Sequence, residues 1–307
     1  MVKKQSMSEA ILQKMEKLGL SQRERLAYIE FRLYFLGDVR RQDLMDRFGV
    51  APAATTRDFS LYREISPNNI DFEGSSKTYI LGDTFKPVFE HNVERVLTML
   101  SRGFGGGIGQ VSDALLPCEL PLVLNRPSAN VLAPVTRAIY QKKSISMKYF
   151  SHSSGMSKRE IVPFALANDG LRWHVRAFDR KSQEFRDFVF TRMESTKLLR
   201  DSKPEKHELP DQDIQWNRIV ELDIVPHPDR GRPEITERDY GMVDGVLHLK
   251  LRAAMAGYVL PQWQVDCSAD HSVEEKGCRL WLRDVLALYG VNSAKFTLGY
   301  QESKSTR

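Results

Sequence analysis

In the stretch GLRWHVRAFDR, residues 170–180, basic side chains recur at every second position. Read as a strand, successive side chains point to opposite faces. Trp173, Val175 and Ala177 then share a face that reads as core, while Arg172, His174, Arg176 and Phe178 share the other. Guanidinium and imidazole groups beside an aromatic ring suit an anion, because arginine presents a planar fork matched to phosphate oxygens. Neighbouring runs repeat the habit: Arg186, Phe188, Phe190 and Arg192 have one parity, as do Met147, Tyr149 and Ser151. If these strands curl together, Tyr149, Ser151, Arg159, His174, Arg176, Arg186 and Arg192 converge on one concave face. Such a face would take a nucleotide or a single-stranded nucleic acid. No carboxylate pair, Ser/His/Asp set or metal-ligand cluster accompanies them in the sequence, so the pattern is one of binding, with no metal or cofactor expected.

The charge distribution points the same way. Of the 307 residues, 134–200 hold 14 Lys and Arg against 6 Asp and Glu, whereas 201–307 hold 14 against 18. Positive charge concentrated in one segment implies an anionic ligand there. No apolar run approaches the ~18–20 residues of a membrane span, and the basic amino terminus lacks a signal peptide's apolar core. A cytoplasmic protein with no membrane partner is therefore expected. The three cysteines, Cys118, Cys267 and Cys278, are scattered without metal-ligand spacing and read as buried free thiols.

The elements that must position these groups follow from periodicity. SQRERLAYIEFRLYFLG predicts a helix with Leu26, Ile29, Leu33 and Leu36 inward. Ser21 and Glu24 form a capping-box pattern at its start, and Gly37 stops it. A short helix over RRQDLMDRFGV ends at Gly49, and a third follows over APAATTRDFSLYREIS with Pro52 where a helix start tolerates it. Helix, glycine turn, helix is the pattern of a helix-turn-helix, and the β-rich runs around Gly74-Ser75-Ser76 add a hairpin wing. On the third helix Ala51, Thr55, Phe59 and Tyr62 line one face. Ala53, Thr56, Arg57, Ser60 and Arg63 lie opposite, a set suited to base edges and phosphates in a major groove. Asp58 is expected to pair within the domain. Ser75, Ser76 and Lys77 at the wing tip, with Arg40 and Arg41 before the second helix, are candidate backbone contacts.

Residues 83–133 read as a helical connector, with Val93, Val96, Leu97 and Leu100 on one face, followed by the glycine-rich run GFGGGIGQ. That run lacks the Gly-Lys-Ser/Thr ending of a phosphate loop and reads as a hinge. Strands are expected over 145–151, 159–165, 171–178 and 185–191. Residues 201–216 read as a linker. The last hundred residues mix strands (RIVELDIVP, GVLHLKLR) with helices (RAAMAGYVLPQWQV, CRLWLRDVLALYG), with Trp263 and Trp281 as core.

The runs SKREIVPFAL, GLRWHVRAFD and FRDFVFTRMES resemble a WYL domain, an Sm-like β-barrel ligand module of bacterial regulators. The matching positions are Arg159, Pro163, Trp173, Ala177, Arg186 and Arg192, with Trp173-His174-Val175 standing where the family has Trp-Tyr-Leu. With the winged helix and the C-terminal segment, the arrangement is similar to the homodimeric repressors associated with BREX and CBASS antiphage defence. The resemblance implies an α+β multidomain protein: a winged helix-turn-helix over 1–82, a connector over 83–133, a ligand-sensing barrel over 134–200, and a linker with a small α+β dimerisation domain over 201–307. It implies a homodimeric repressor bound to an inverted-repeat operator in double-stranded DNA, modulated by a nucleotide or nucleic-acid effector. A nucleic-acid-processing enzyme or accessory subunit holding substrate in the basic barrel is the alternative, and a protein-binding adaptor a third reading.

Overall fold

A computed structural model of the chain describes residues 15–104, 114–120, 126–275 and 277–301. The chain divides into two units, residues 1–121 and 122–307. Residues 105–110 of the glycine-rich run lie outside the described residues.

The first unit is a winged helix. Helix α1 (Leu20–Leu36) begins after Gly19, not at Ser21, so the expected capping box is not made. Ser21 lies within the first turn. Helix α2 (Arg41–Phe48) ends at Gly49, whose φ of 63° is the left-handed turn that leads into α3 (Pro52–Ile65). Strands β1 (Asp38–Val39), β2 (Ile70–Glu73) and β3 (Thr78–Leu81) form an antiparallel sheet in the order β1-β3-β2. Leu26, Ile29, Leu33, Leu44, Phe59 and Tyr62 fill the core between helices and wing.

At its centre lies a fully buried carboxylate, Glu30, which accepts the Tyr62 hydroxyl at 2.8 Å and the backbone N–H groups of Val88 and Phe89. Those bonds supply the partners a buried charge requires and tie the chain beyond the wing back onto α1. Helix α4 (Val93–Arg102) follows, capped by the Asn92 side chain accepting Arg95 N–H at 3.0 Å. Of its expected apolar stripe Val96 is buried, while Val93 and Leu97 are exposed.

In the second unit helix α5 (Ala129–Gln141) packs through Val135 and Ala138 on a five-stranded antiparallel sheet. The strands are β4 (Ser144–Ser151), β5 (Gly155–Asn168), β6 (Trp173–Asp179), β7 (Glu184–Val189) and β8 (Met193–Leu199), in the order β7-β6-β5-β4-β8. Among the described residues β7 and β8 do not pair, so strand pairing leaves an open sheet and does not close the expected barrel. A turn of 3-10 helix over Phe190–Arg192 breaks the alternation expected through 185–191 and leads into β8, a strand the sequence reading did not include.

Residues 201–216 are not a free linker. They run as two 3-10 turns and enter the helical turn α6 (Ile214–Asn217), with Glu208 and Asp213 buried against the sheet. Beyond them β9 (Ile219–Pro226), helix α7 (Pro233–Asp239), β10 (Leu247–Arg252), helix α8 (Ala253–Gln262), β11 (Val265–Asp266) and β12 (Leu280–Leu282) form an α+β domain with sheet order β10-β9-β12-β11.

The helix expected over CRLWLRDVLALYG is absent. Leu280 and Leu282 are fully buried on either side of a partly exposed Trp281, a period of two, and pair with Pro226 and Ile224 of β9. Cys267 and Cys278 are buried as expected, but Cys118 is exposed. No helix of the described residues is long and apolar enough to cross a membrane.

Candidate nucleic-acid interface and effector cavity

Helix α3 separates its two faces as its spacing predicts, except that Ala51, expected on the core face, is the exposed N-cap residue before the helix. Thr55, Phe59 and Tyr62 are buried, with the Phe59 ring stacked on Tyr79 of the wing at 4.0 Å. Ala53, Thr56, Arg57, Ser60 and Arg63 are exposed. Asp58 is buried and receives Arg25 of α1 at 2.6 Å, so the acid that would repel a phosphate is neutralised from behind. The Arg63 guanidinium lies over the Tyr79 ring at 5.9 Å, and Arg41 reaches the hydroxyl of that tyrosine at 3.4 Å. Arg40 precedes α2 and is exposed, as are Ser75, Ser76 and Lys77 in the wing turn, where Ser76 bonds Glu73.

The basic face of β6 is buried, which the alternation did not foresee. Arg176 sits under the C-terminal half of the unit, its Nε and Nη2 on the two oxygens of Asp213 at 2.7 and 3.1 Å and its Nη1 on Asp187 at 3.2 Å. Burial works against this guanidinium, but the Asp213 bond and Asp187 outweigh it and hold it ionised. The carboxylates that no sequence motif displayed are therefore supplied by the fold, and each is already engaged.

Beside this ion-pair cluster lies a cavity of about 590 Å3. The five-stranded sheet contributes Tyr149, His174, Asp187 and Val189, the 3-10 turn after β7 contributes Arg192, the turn before β6 contributes Asp169 and Arg172, and α8 contributes Tyr258 and Gln262. His174 Nε2 lies 2.8 Å from Asp169, and its ring packs against Tyr258 at 5.0 Å. Burial raises the Asp169 carboxyl, yet the His174 bond and the N–H groups of Arg172 and Leu171 bring it below the usual carboxylate range. The Tyr258 hydroxyl donates to Asp187 at 2.9 Å, and burial together with that carboxylate pushes its pKa up, so it stays a donor.

Arg192 Nη2 lies 3.0 Å from His152 Nε2. A guanidinium only donates, so that imidazole nitrogen is the acceptor. Among the described residues Arg192 is a lining cation with no carboxylate partner, whereas Arg172 is held by Asp169 at 3.3 Å. Gly170, in the turn before β6, has a φ of 89° that suits glycine, and the Gln262 amide packs directly against it.

Of the expected effector residues, Tyr149, His174 and Arg192 come together in the cavity. The other four do not line it. Arg176 lies beneath, neutralised. Arg159 is spent on Asp179 at 2.6 Å and on Ser157. Arg186 pairs with Glu184 on the exposed edge at 2.6 Å, and Ser151 bonds Ser153 in the turn before β5. Trp173, expected in the core, is half-exposed at the start of β6. Asp169, Tyr258 and Gln262 were missed. Tyr258 and Gln262 arrive from some 80 positions away in sequence, so no local pattern marks them. No group of three or more His, Cys, Asp or Glu among the described residues is placed to hold a metal ion.

Comparison with known proteins matches three family models in register with these elements. Residues 21–102 match the BrxR transcriptional regulator winged helix-turn-helix domain, 130–198 the WYL domain, and 219–288 the BrxR transcriptional regulator C-terminal dimerization domain. The chain is 30% identical over 265 residues to the DNA-binding transcriptional repressor CapW of Escherichia coli strain KTE188, covering 83% of this chain and 86% of that one. CapW of Stenotrophomonas maltophilia is 30% identical over 286 residues, 87% of this chain and 94% of that one. CapW of Pseudomonas aeruginosa is 30% identical over 252 residues, covering 78% and 82%. Among solved structures, proteasome accessory factor B/C of Arthrobacter aurescens aligns with a TM-score of 0.25 and 18% identity, over 75% of this chain and 42% of that one.

Proposed function

Because the chain belongs to the CapW family of DNA-binding transcriptional repressors, we propose that it is a homodimeric repressor of a defence-type operon whose grip on DNA is set by a phosphate-bearing effector in the cavity around His174 and Arg192. It is a regulator with a winged helix and a dimerization domain, not an enzyme.

In this reading Thr56, Arg57 and Ser60 contact base edges, Ala53 allows close approach, and Arg63, Arg40, Arg41, Ser75, Ser76 and Lys77 hold the backbone. A two-fold dimer matches an inverted repeat whose half-sites are separated by whole helical turns of roughly 34 Å each. The observation that carries the regulatory part is the cavity's shared wall: the sensor sheet and α8 of the C-terminal domain each supply lining residues. An occupant bonded to both sides favours one placement of sensor against dimerisation domain. To reverse occupancy it must prefer that placement by about 5 kcal/mol. Two or three charge-assisted bonds of roughly 1.5–3 kcal/mol each, from Arg192, Arg172 and the Tyr149 hydroxyl, reach that range.

The test is fluorescence anisotropy with duplex from the chain's own upstream region against a shuffled duplex of equal length. The Thr56→Ala/Arg57→Ala protein is expected to lose the preference while remaining dimeric by light scattering. Equal affinity of the unaltered protein for both duplexes would remove the repressor reading. Release of the operator by a short single-stranded oligonucleotide or a nucleotide, lost in Arg192→Ala, tests the effector.

A further inference from the structure

A second basic site lies at the other end of β4. Tyr149, near the end of that strand, lines the effector cavity, whereas the residues bordering its start enclose a separate groove of about 540 Å3. Arg137, Gln141, Lys143, Leu198 and Arg200 line it, and no carboxylate does. Arg137 and Gln141 are one turn apart on α5, so they share a face, and Leu198 and Arg200 share a face of the β8 segment by alternation.

Elsewhere in this unit the buried Arg176 has Asp187 and Asp213, and the partly buried Arg159 and Arg180 have Asp179 and Glu160 with Glu208, while Arg192 at the first cavity has no acid among the described residues. Arg137 and Arg200 have none. Among the described residues no hydrogen bond or ion pair engages either guanidinium. Glu160, the carboxylate bonded to the Ser144 hydroxyl at the start of β4, is occupied by Arg180. Asp201 follows Arg200 in the chain but does not line the groove. Cations beyond a helix C-terminus ordinarily offset its dipole, and Lys142 and Lys143 meet that need, with Lys143 Nζ on the Arg200 carbonyl at 2.7 Å. That role does not extend to Arg137, a turn earlier, or to Arg200 at the end of a strand. Two guanidiniums facing one groove repel until an anion sits between them. Tyr140, which does not line the groove, is 90% exposed and neighbours Arg137 three residues on along the same helix.

We infer that this groove binds the phosphate backbone of a nucleic acid, with Arg137 and Arg200 as forks on the phosphates and Tyr140 as a platform against a sugar or base. The groove is open at the surface and offers forks and a bare ring, the combination that tracks a strand without reading its sequence. The site is independent of the effector cavity and adds salt-sensitive, sequence-blind affinity to whatever the reader helix selects.

The experiment uses the full chain and labelled oligonucleotides of about 20 nucleotides, single-stranded or as random-sequence duplex, titrated between about 50 and 200 mM salt. Arg137→Ala/Arg200→Ala is expected to flatten the dependence of log affinity on log salt by about 1.8 on duplex or about 1.4 on single strand, the arm that responds identifying the form bound. Arg137→Lys/Arg200→Lys keeps the charges and is expected to retain the unaltered slope. Both changed side chains are exposed, and an unchanged thermal melt verifies the fold. The inference is overturned if both arms keep their slope in the alanine protein. It is equally overturned if Lys148→Ala/Lys158→Ala, which removes two exposed lysines from paired positions on β4 and β5, flattens the slopes as much. Thr56→Ala/Arg57→Ala separates this from the repressor reading: loss of operator preference there, with the groove effect unchanged, leaves both standing, and either can fail alone.

Discussion

Arg176 and Asp213 meet through two parallel bonds, Nε to Oδ2 and Nη2 to Oδ1, with both side chains almost wholly withdrawn from solvent. The pair joins β6, the second strand of the five-stranded sheet, to the segment that leads into the dimerisation domain. A buried pair of this kind adds little net stability when formed but costs a great deal when broken, since the survivor keeps its charge without a partner.

Asp213→Ala is therefore expected to destabilise the second unit by roughly 3 kcal/mol, measured by urea unfolding, even though Asp213 touches neither DNA nor cavity. The loss should exceed that of Glu184→Ala, which breaks the exposed pair with Arg186 and is expected to cost less than about 1 kcal/mol.

Glu208 makes a second anchor, its carboxylate receiving Arg180 Nε at 2.6 Å and the Glu205 N–H at 2.8 Å. Burial raises its pKa, but those bonds outweigh burial and bring it below the ordinary 4.5. With the folded value depressed, the unfolded chain takes up the proton first as pH falls. The contribution is thus fully present above pH 4.5 and fades as pH drops through the lower folded value. Glu208→Gln is expected to be less stable than the unaltered protein at pH 7 and to converge with it in acid below that value. A stability gap that persists unchanged down to acid unfolding would count against the pairing.

For the effector cavity, Arg192→Ala removes a cation that no carboxylate holds. Its loss is expected to weaken binding of a nucleotide or short oligonucleotide by about tenfold or more, read by calorimetry, since a charge-assisted bond contributes on the order of 1.5–3 kcal/mol. Operator affinity without effector is expected to stay the same. Arg186→Ala, outside the cavity, is expected to alter neither.

Thiol chemistry checks the core of the last domain. Burial pushes the Cys267 thiol up to about 12 and raises Cys278 as well, whereas Cys118 is exposed. A thiol reagent near neutral pH is expected to modify Cys118 alone in the folded protein and all three cysteines after denaturation. Rapid reaction of two thiols in the folded state would contradict the packing around Leu280 and Leu282.

The helical head was legible because its determinants are local. The spacing of Thr55, Phe59 and Tyr62 sorts α3 into buried and exposed faces without reference to anything distant, although Ala51, expected on the buried face, is the exposed residue that caps the helix, and Gly49 marks the turn. The WYL domain was legible in its strands but not in its charge balance. Alternation placed Arg176 on a shared face with His174, yet it could not say that Asp213, 37 residues later, would cover that face. A strand buried on both sides ordinarily reads as a continuous apolar run, so an alternating strand reads as half-solvated; here the second face is buried with its basic groups paired, and residues that read as waiting for a ligand were waiting for an acid. The segment CRLWLRDVLALYG misled for a related reason: its apolar spacing fits a helix, and the register with β9 that makes it a strand is a long-range contact.

The segment around Glu208 and Asp213 also bears on how the molecule can be dissected. A fragment ending at Arg200 would carry every strand of the WYL-domain sheet, yet it would leave Arg176 without Asp213 and Arg180 without Glu208. Such a truncation exposes its own unmatched charges, so residues 122–307 are expected to melt in a single transition, and a stand-alone sensor would need those two acids carried along in its expressed boundary.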